Sequence, residues 1–478
     1  MRRAGVLLHV SSLPSEGPIG DLGPAAYGFL DFLASAGCKL WQVLPLNPTD
    51  DGHSPYGSPS GFAGNPDLLS VERLAYDGLV DPGPVPHRGG RVDWEAVTHW
   101  KRPLLREAAR RLLERDPDAV EHWRTQQSWA DDWALYAAVE EQHGSWWNWP
   151  DEALRHRDPA ALAAERERRL VTVREHLALQ LLFDRQWADL KWAAGERGIQ
   201  ILGDMPLFVS GGGCDTWAHR HLFDLDAEGR PRNVAGAPPD AFSADGQLWG
   251  NPVYAWHAHQ ADGFQWWQAR INRILQHTDR VRIDHFRGLQ ATWTIPAHAR
   301  TALEGAWREV PGGELLEVLP REQLFAEDLG TITPEVLALR EQAGLPGMKV
   351  LQFAFGDDAH HDYLPHTYDG RRWVAYTGTH DNDTCRGWYA SAPEAVRDRY
   401  RRYVGRDGSD PAWDLIRLAW ASVADDAIAQ MQDVMDLGGD ARMNVPGTTE
   451  ANWSWRIGEV PWWASGRLAE LSQAYGRA

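Results

Sequence analysis

Arg282 and Asp284 lie two residues apart in the stretch 279–288, Asp-Arg-Val-Arg-Ile-Asp-His-Phe-Arg-Gly, where β-branched Val281 and Ile283 alternate with them. A period of two puts the guanidinium and the carboxylate on one face of a strand. If that strand is buried on both sides its neighbours should be apolar, so two charged groups pointing together need a reason. One reason is a structural ion pair. The other is a carboxylate partnered by Arg282 and poised as a nucleophile at the strand end. Two further stretches end in the same way. Leu324-Phe-Ala-Glu-Asp-Leu-Gly330 brings Glu327 and Asp328 to the end of an apolar run. Asp328 is expected to cap the next helix, sharing that duty with Thr333-Pro334. Glu327, set against an apolar strand, is expected to carry a raised pKa and stay protonated. The run from Trp373 ends in His380, Asp381, Asn382 and Asp383. A turn or a metal site would also account for that composition, but no partnered His/carboxylate spacing accompanies it. Two carboxyl groups flanking a glycosidic bond are the working pair of sugar chemistry, and a pair roughly 5–5.5 Å apart gives a covalent intermediate and retention. A third acid would stabilise the transition state or hold hydroxyls.

Such residues act together only if the chain brings three strand ends to one place. Short apolar segments fall at 5–10, 40–46, 199–206, 280–286, 324–329, 348–355, 373–379 and 427–433, each ending in polar or glycine-rich sequence. Helical patterns at 23–36, 264–277, 334–343 and 393–403 lie between them. Strand–helix alternation with buried strands predicts an α/β fold, a (β/α)₈ TIM barrel whose site collects at the C-terminal strand ends. A barrel takes about 250 residues, so 1–478 as one catalytic barrel must carry large insertions. A mainly helical subdomain after strand two is predicted over 47–198, with helices at 94–115, 117–142 and 158–195 following an irregular Ser/Pro/Gly loop. An active-site loop region is predicted over 208–256, because so long an irregular stretch inside a compact domain is usually functional. The Arg–Glu mixture at 165–169 is expected to be a solvated helix face.

Bulk properties narrow the partners. The 478-residue chain has a net charge of −19, which disfavours nucleic-acid and anionic-membrane partners and suits a neutral substrate. Its 26 Trp point towards carbohydrate, since aromatic rings stack on the apolar faces of sugars. Cys38, Cys214 and Cys385 are far apart and odd in number, as expected of reduced thiols in a cytoplasmic protein. Met1-Arg2-Arg3 precedes an apolar stretch too short for a signal peptide, and no run reaches the roughly 18 apolar residues of a membrane helix. Gly211-Gly-Gly-Cys-Asp215 lacks the ending of a phosphate-binding loop, and no serine sits in a nucleophile elbow. His219–His221 and His360–His361 are expected on surface loops.

Taken together, Arg282-Ile-Asp284-His-Phe-Arg-Gly288, Ala326-Glu327-Asp328-Leu-Gly330 and Thr379-His380-Asp381-Asn382 resemble the motifs of the amylomaltases, the 4-α-glucanotransferases of the α-amylase-like clan. Similar stretches run along nearly the whole chain: 8–14, 20–23, Ser54-Pro55-Tyr56, Gly203-Asp204-Met205-Pro206, 236–240, 246–252 and 442–447. The resemblance implies retaining transfer of α-1,4-glucan segments from one maltooligosaccharide to the 4-OH of another glucan or of glucose. It implies Asp284 as nucleophile, Glu327 as acid and then base, and Asp381 as the acid that binds the distorted donor. It also implies substrate-binding residues: His380 and Arg282 in the donor subsite, Asp204 as a supporting carboxylate, Tyr56 as an aromatic face against the donor ring, and Phe242, Gln247, Trp249 and Asn251 on a covering loop. No cofactor and no metal are implied, starch- or glycogen-type glucans are expected as partners, and a monomer is expected. The family usually has two adjacent aromatics after Pro-Pro-Asp, where this chain has Ala241-Phe242; transfer is still expected to dominate over a hydrolytic, α-amylase-like outcome. A non-catalytic glucan binder would have no use for all three acids.

Overall fold

The computed structural model describes residues 2–86, 90–239, 245–356 and 362–478. Among them the chain forms twelve strands: β1 (Arg3–Leu7), β2 (Leu40–Gln42), β3 (Gln200–Met205), β4 (Asn233–Ala237), β5 (Gln247–Pro252), β6 (Arg280–Ile283), β7 (Ala291–Pro296), β8 (Ala306–Glu309), β9 (Leu324–Ala326), β10 (Gly347–Val350), β11 (Trp373–Tyr376) and β12 (Asp426–Gln430). Eight are parallel neighbours in the order β10-β11-β12-β1-β2-β3-β6-β9. The Ala326 amide donates to the Pro346 carbonyl at 2.8 Å and brings the two ends of that order together as a nearly closed barrel. The strands are shorter than the apolar runs in the sequence because several bend into 3₁₀ turns where they leave the ring, as at Val10–Ser12 and Leu351–Phe355.

Asp328 corrects an expectation. It does not cap the helix Pro334–Ala343, whose N-cap position is taken by Thr333. Its carboxylate accepts the Met348 amide at 2.7 Å and pairs with Arg340 at 2.5 Å, tying β9 to β10 where the backbone ladder is thinnest. A Cβ at Gly347 would fall 2.3 Å from the Arg340 guanidinium and 2.5 Å from the Asp328 carboxylate, so only glycine fits beside this pair.

The alternation along β6 separates two environments. Val281 and Ile283 pack outward with Trp267 and Ile271 of the helix Gln265–His277, and each fully buried aliphatic contributes about 1.5–3 kcal/mol. The alternate residues share polar layers with neighbouring strands. At the foot of the barrel Arg3 and Arg280 converge on Asp426, the former at 2.7 Å. Tyr376 donates to Gln42 at 2.7 Å, and Arg282 grips Asp204. Removing one member of such a buried pair leaves an uncompensated charge, at a cost of about 3–5 kcal/mol.

The stretch after β2 is irregular and then helical. Helix breaks at 126–129 and at Arg169 divide what sequence periodicity gave as single helices, giving Pro117–Thr125 then Ala130–His143, and Pro159–Arg168 then Leu170–Glu196. Glu165 is buried, paired with Arg168 at 2.9 Å and with Arg169, while Glu167 and Arg168 are exposed, so the expected solvated face at 165–169 holds except at Glu165, which anchors it. The long helix Leu170–Glu196 fixes the loop that carries Tyr56. Gln180 exchanges two 2.8 Å hydrogen bonds with the Gly64 backbone. A Cβ at Gly64 would lie 2.2 Å from the Phe183 ring.

Within and after 208–256 the chain builds a four-stranded antiparallel sheet, β5-β4-β7-β8, that the sequence patterns did not anticipate. Among the described residues no helix is long and apolar enough to cross a membrane, and Cys38, Cys214 and Cys385 are buried and unpaired.

Candidate active site

Asp284 is the residue at which β6 leaves the barrel. Its amide still completes the ladder to Met205 at 3.0 Å. The next residue, His285, has φ +51°, a left-handed conformation uncommon outside glycine, which turns the chain sharply into Phe286–Leu289. Arg282 bridges two carboxylates: both oxygens of Asp204 at 2.8 Å and Asp284 Oδ1 at 2.8 Å. Burial opposes the charge on Arg282, but Asp204 and Asp284 outweigh it and raise its pKa well above the ordinary value.

Glu327 is locked to this turn. Its amide donates to the Ile283 carbonyl at 3.0 Å, and its carboxyl accepts the His285 amide at 2.7 Å and the Leu329 amide at 3.0 Å. One Glu327 oxygen is thus bonded to the peptide N–H directly following Asp284, which fixes the two acids relative to one another. Burial, the largest influence, and the Asp284 carboxylate together raise Glu327 to about 8 against the opposing pull of Arg282 and the two amide hydrogen bonds. At neutral pH Glu327 therefore carries a proton. Burial also holds His285 neutral, down to about 4.

The third strand end supplies His380 and Asp381. His380 is buried and stacks on Tyr56 with centroids 4.8 Å apart and planes 14° from parallel. The Tyr56 hydroxyl donates to Asp204 at 2.7 Å, so Tyr56, Asp204, Arg282 and Asp284 form one continuous polar chain. Asp381 stands more open. It accepts from the Asn444 amide at 2.6 Å and lies 3.4 Å from His380 Nε2, while Arg442 donates to its carbonyl at 2.9 Å. All three acids line one cleft of about 1320 Å³, beyond the roughly 300–1,000 Å³ usual for a single small ligand.

The chain matches the family model described as 4-alpha-glucanotransferase over residues 8–460. It belongs to the 4-alpha-glucanotransferase family. The 4-alpha-glucanotransferase of Thermus thermophilus is 45% identical, covering 100% of this chain and 99% of its own. That of Synechocystis sp. is 43% identical, with 100% and 98% covered. The amylomaltase from Streptococcus agalactiae, solved in complex with acarbose, superposes with a TM-score of 0.96 at 35% identity, and 100% of each chain is covered.

Set against the residues that the family motifs single out, the placement is uneven. Tyr56, Arg282, Asp284, Glu327, His380, Asp381, Gln247, Trp249 and Asn251 line the cleft. Asp204 does not; fully buried beneath it, Asp204 positions Arg282 and Tyr56 instead of reaching a ligand. Gln247 and Trp249 bond to each other at 3.0 Å, and Trp249 meets His285 edge-on at 4.8 Å. The Asn251 amide donates to the Val209 carbonyl at 2.9 Å, which fixes β5 against the segment after β3. Phe242, with Ala241, lies outside the described residues, as do His360 and His361. Asn444 and Trp453 were given no role from sequence. Both line the cleft, Trp453 with its ring 5.7 Å from that of Tyr56. Asn444 falls inside the family-like stretch 442–447, the one signal that would have pointed to it.

Proposed function

We propose that this chain catalyses retaining transfer of α-1,4-glucan segments between maltooligosaccharides, with Asp284, Glu327 and Asp381 as its catalytic acids. The observation that carries this reading is the bond between Glu327 and the amide next to Asp284: it holds a buried carboxyl, whose pKa burial raises, beside a carboxylate bound to Arg282. In the first step an Asp284 oxygen attacks C1 of the donor glucosyl unit. The Glu327 proton passes to the glycosidic oxygen, the C1–O bond breaks and the shortened glucan departs. In the second step the Glu327 carboxylate takes the proton of an acceptor 4-OH. That oxygen attacks C1, and the Asp284 ester bond breaks. Two inversions give net retention. Asp381, held by Asn444, accepts hydroxyl hydrogen bonds from the distorted donor ring, and Tyr56, backed by the stacked His380, presents its aromatic face to it.

Acceptors are other glucans or glucose, and donors include starch- or glycogen-type chains. On this reading the chain works in carbohydrate metabolism in the cytoplasm, as a monomer without a cofactor. The barrel 1–478 is its catalytic unit, with 47–198 and 208–256 as insertions that wall the cleft. The test is incubation with maltotriose. Transfer conserves reducing ends and yields glucose with a ladder of longer sugars. Hydrolysis adds one reducing end per bond cut; a rise in reducing ends matching the glucose released would overturn the reading in favour of an α-amylase-like enzyme.

The same roles set a pH limb. Glu327 must be protonated to meet the donor, and burial raises it to about 8. The kcat/KM for maltotriose should therefore hold up to about pH 8 and then fall, approaching tenfold per pH unit above it. A profile flat to pH 10 would remove Glu327 as the acid.

A further inference from the structure

At the end of the barrel opposite the catalytic cleft, the residues leading into β1, β2, β3, β6 and β12 and the last turns of the helix Leu170–Glu196 surround a second hollow of about 980 Å³. Trp192 lines it and is 69% exposed, on the same helical face as Ala188, Lys191 and Gly195. A rigid helix thus holds an open indole face beside a cavity. The polar groups around it define the ligand. Two of the three cations are already occupied: Arg3 by Asp426 and Gln200, and Lys191 by the carbonyls of Leu275, Gln276 and Thr278 at 2.8–3.2 Å. The Lys39 ammonium makes no hydrogen bond or ion pair to the described residues. The amide groups of Gln200 and Gln276 bind arginines through their oxygens and keep their N–H₂ donors for other partners. Asp279 accepts the Ile201 amide through one oxygen, while the other lies 3.9 Å from the Lys191 ammonium, a loose pairing that leaves it able to accept a hydroxyl; Asp425 pairs with Arg371 at the rim.

Both carboxylates are thus offset by cations of the chain, and beyond the single Lys39 ammonium the groups left open around the hollow are neutral amide donors and the indole. A neutral ligand that both donates and accepts hydrogen bonds, and that has a flat apolar face, satisfies all of these groups with Trp192. We propose that this hollow is a second glucan-binding site, in which a glucosyl ring stacks on Trp192 while Lys39, Gln200 and Asp279 take its hydroxyls. The proposal rests on the glucan-transfer reading. A site so far from the cleft cannot assist a trisaccharide, but it raises the local concentration of a long chain whose other portions reach the catalytic end.

The experiment compares wild type, Trp192→Ala, Trp192→Phe and Lys39→Met by native affinity electrophoresis in gels containing glycogen, alongside maltotriose disproportionation. Trp192→Ala should weaken glycogen binding about fivefold or more, Trp192→Phe much less, and Lys39→Met to an intermediate degree. All three should keep kcat/KM for maltotriose within about twofold of wild type. Unchanged glycogen affinity in Trp192→Ala, or loss of maltotriose turnover in step with glycogen binding, overturns the site. A wild-type enzyme that fails to disproportionate maltotriose but still loses glycogen binding with Trp192→Ala overturns the transferase reading and upholds the site.

Discussion

Asp284→Asn is expected to lower disproportionation of maltotriose by roughly 10⁴–10⁶-fold while leaving the protein folded. The loss is large because the amide cannot form the ester, and among the described residues the only other carboxylate ion-paired with Arg282 is Asp204. Asp204, the nearest candidate, is sealed beneath the cleft by the Tyr56 hydroxyl and both bonds to Arg282. The fold should survive for the same reason. Arg282 keeps its bidentate partner, so no buried guanidinium is left without a countercharge, and the melting temperature should stay within a few degrees of wild type. The contrasting change, Asp204 replaced by Asn, removes the buried partner and belongs to the strongly destabilising class. Turnover by Asp284→Asn within tenfold of wild type would mean that the pair with Arg282 is structural and that the nucleophile lies elsewhere.

How much of this was legible in the residue order differs from element to element. β6 was legible because Val281 and Ile283 face a helix while Arg280, Arg282 and Asp284 share the other side, so the period of two survives burial. Glu327 was legible as a raised acid because the short strand before it is wholly apolar. Its tie to the His285 amide was not, since a left-handed residue after β6 sets that bond. The antiparallel sheet was missed because Asn233–Ala237 and Gln247–Pro252 are glycine-interrupted and carry no alternation. The duty of Asp328 was misread as a cap because a carboxylate after a strand and before a helix has two local partners in sequence, and only the ring closure chooses between them. Asn444 sits beyond the last barrel strand, in a loop whose return to Asp381 no local pattern encodes. The barrel could thus be deduced from patterns within each strand, while the contacts that orient the acids come from pairs of residues far apart in the chain.

Glu327→Gln should separate the two halves of the reaction. With maltotriose the leaving oxygen is a poor leaving group that needs a proton, and the amide has none to give; a fall of about 10²–10⁴-fold is expected, the usual worth of a positioned acid or base. A maltosyl fluoride donor needs little protonation as fluoride departs, so Asp284 should still be glycosylated. The second step then stalls, because no carboxylate is present to take the proton of an incoming 4-OH. The covalent intermediate should accumulate and be visible by mass spectrometry of the intact protein. Azide, an anion that needs no deprotonation, should discharge it to an α-glycosyl azide and restore turnover. The pH limb near 8 should vanish from this variant with it, because the group that titrates there has been removed. Folding should be little disturbed, since the glutamine oxygen can still accept the His285 or Leu329 amide. If Glu327→Gln showed equal losses with the fluoride and with maltotriose, and azide had no effect, Glu327 would be holding the turn after Asp284 in place without moving any proton.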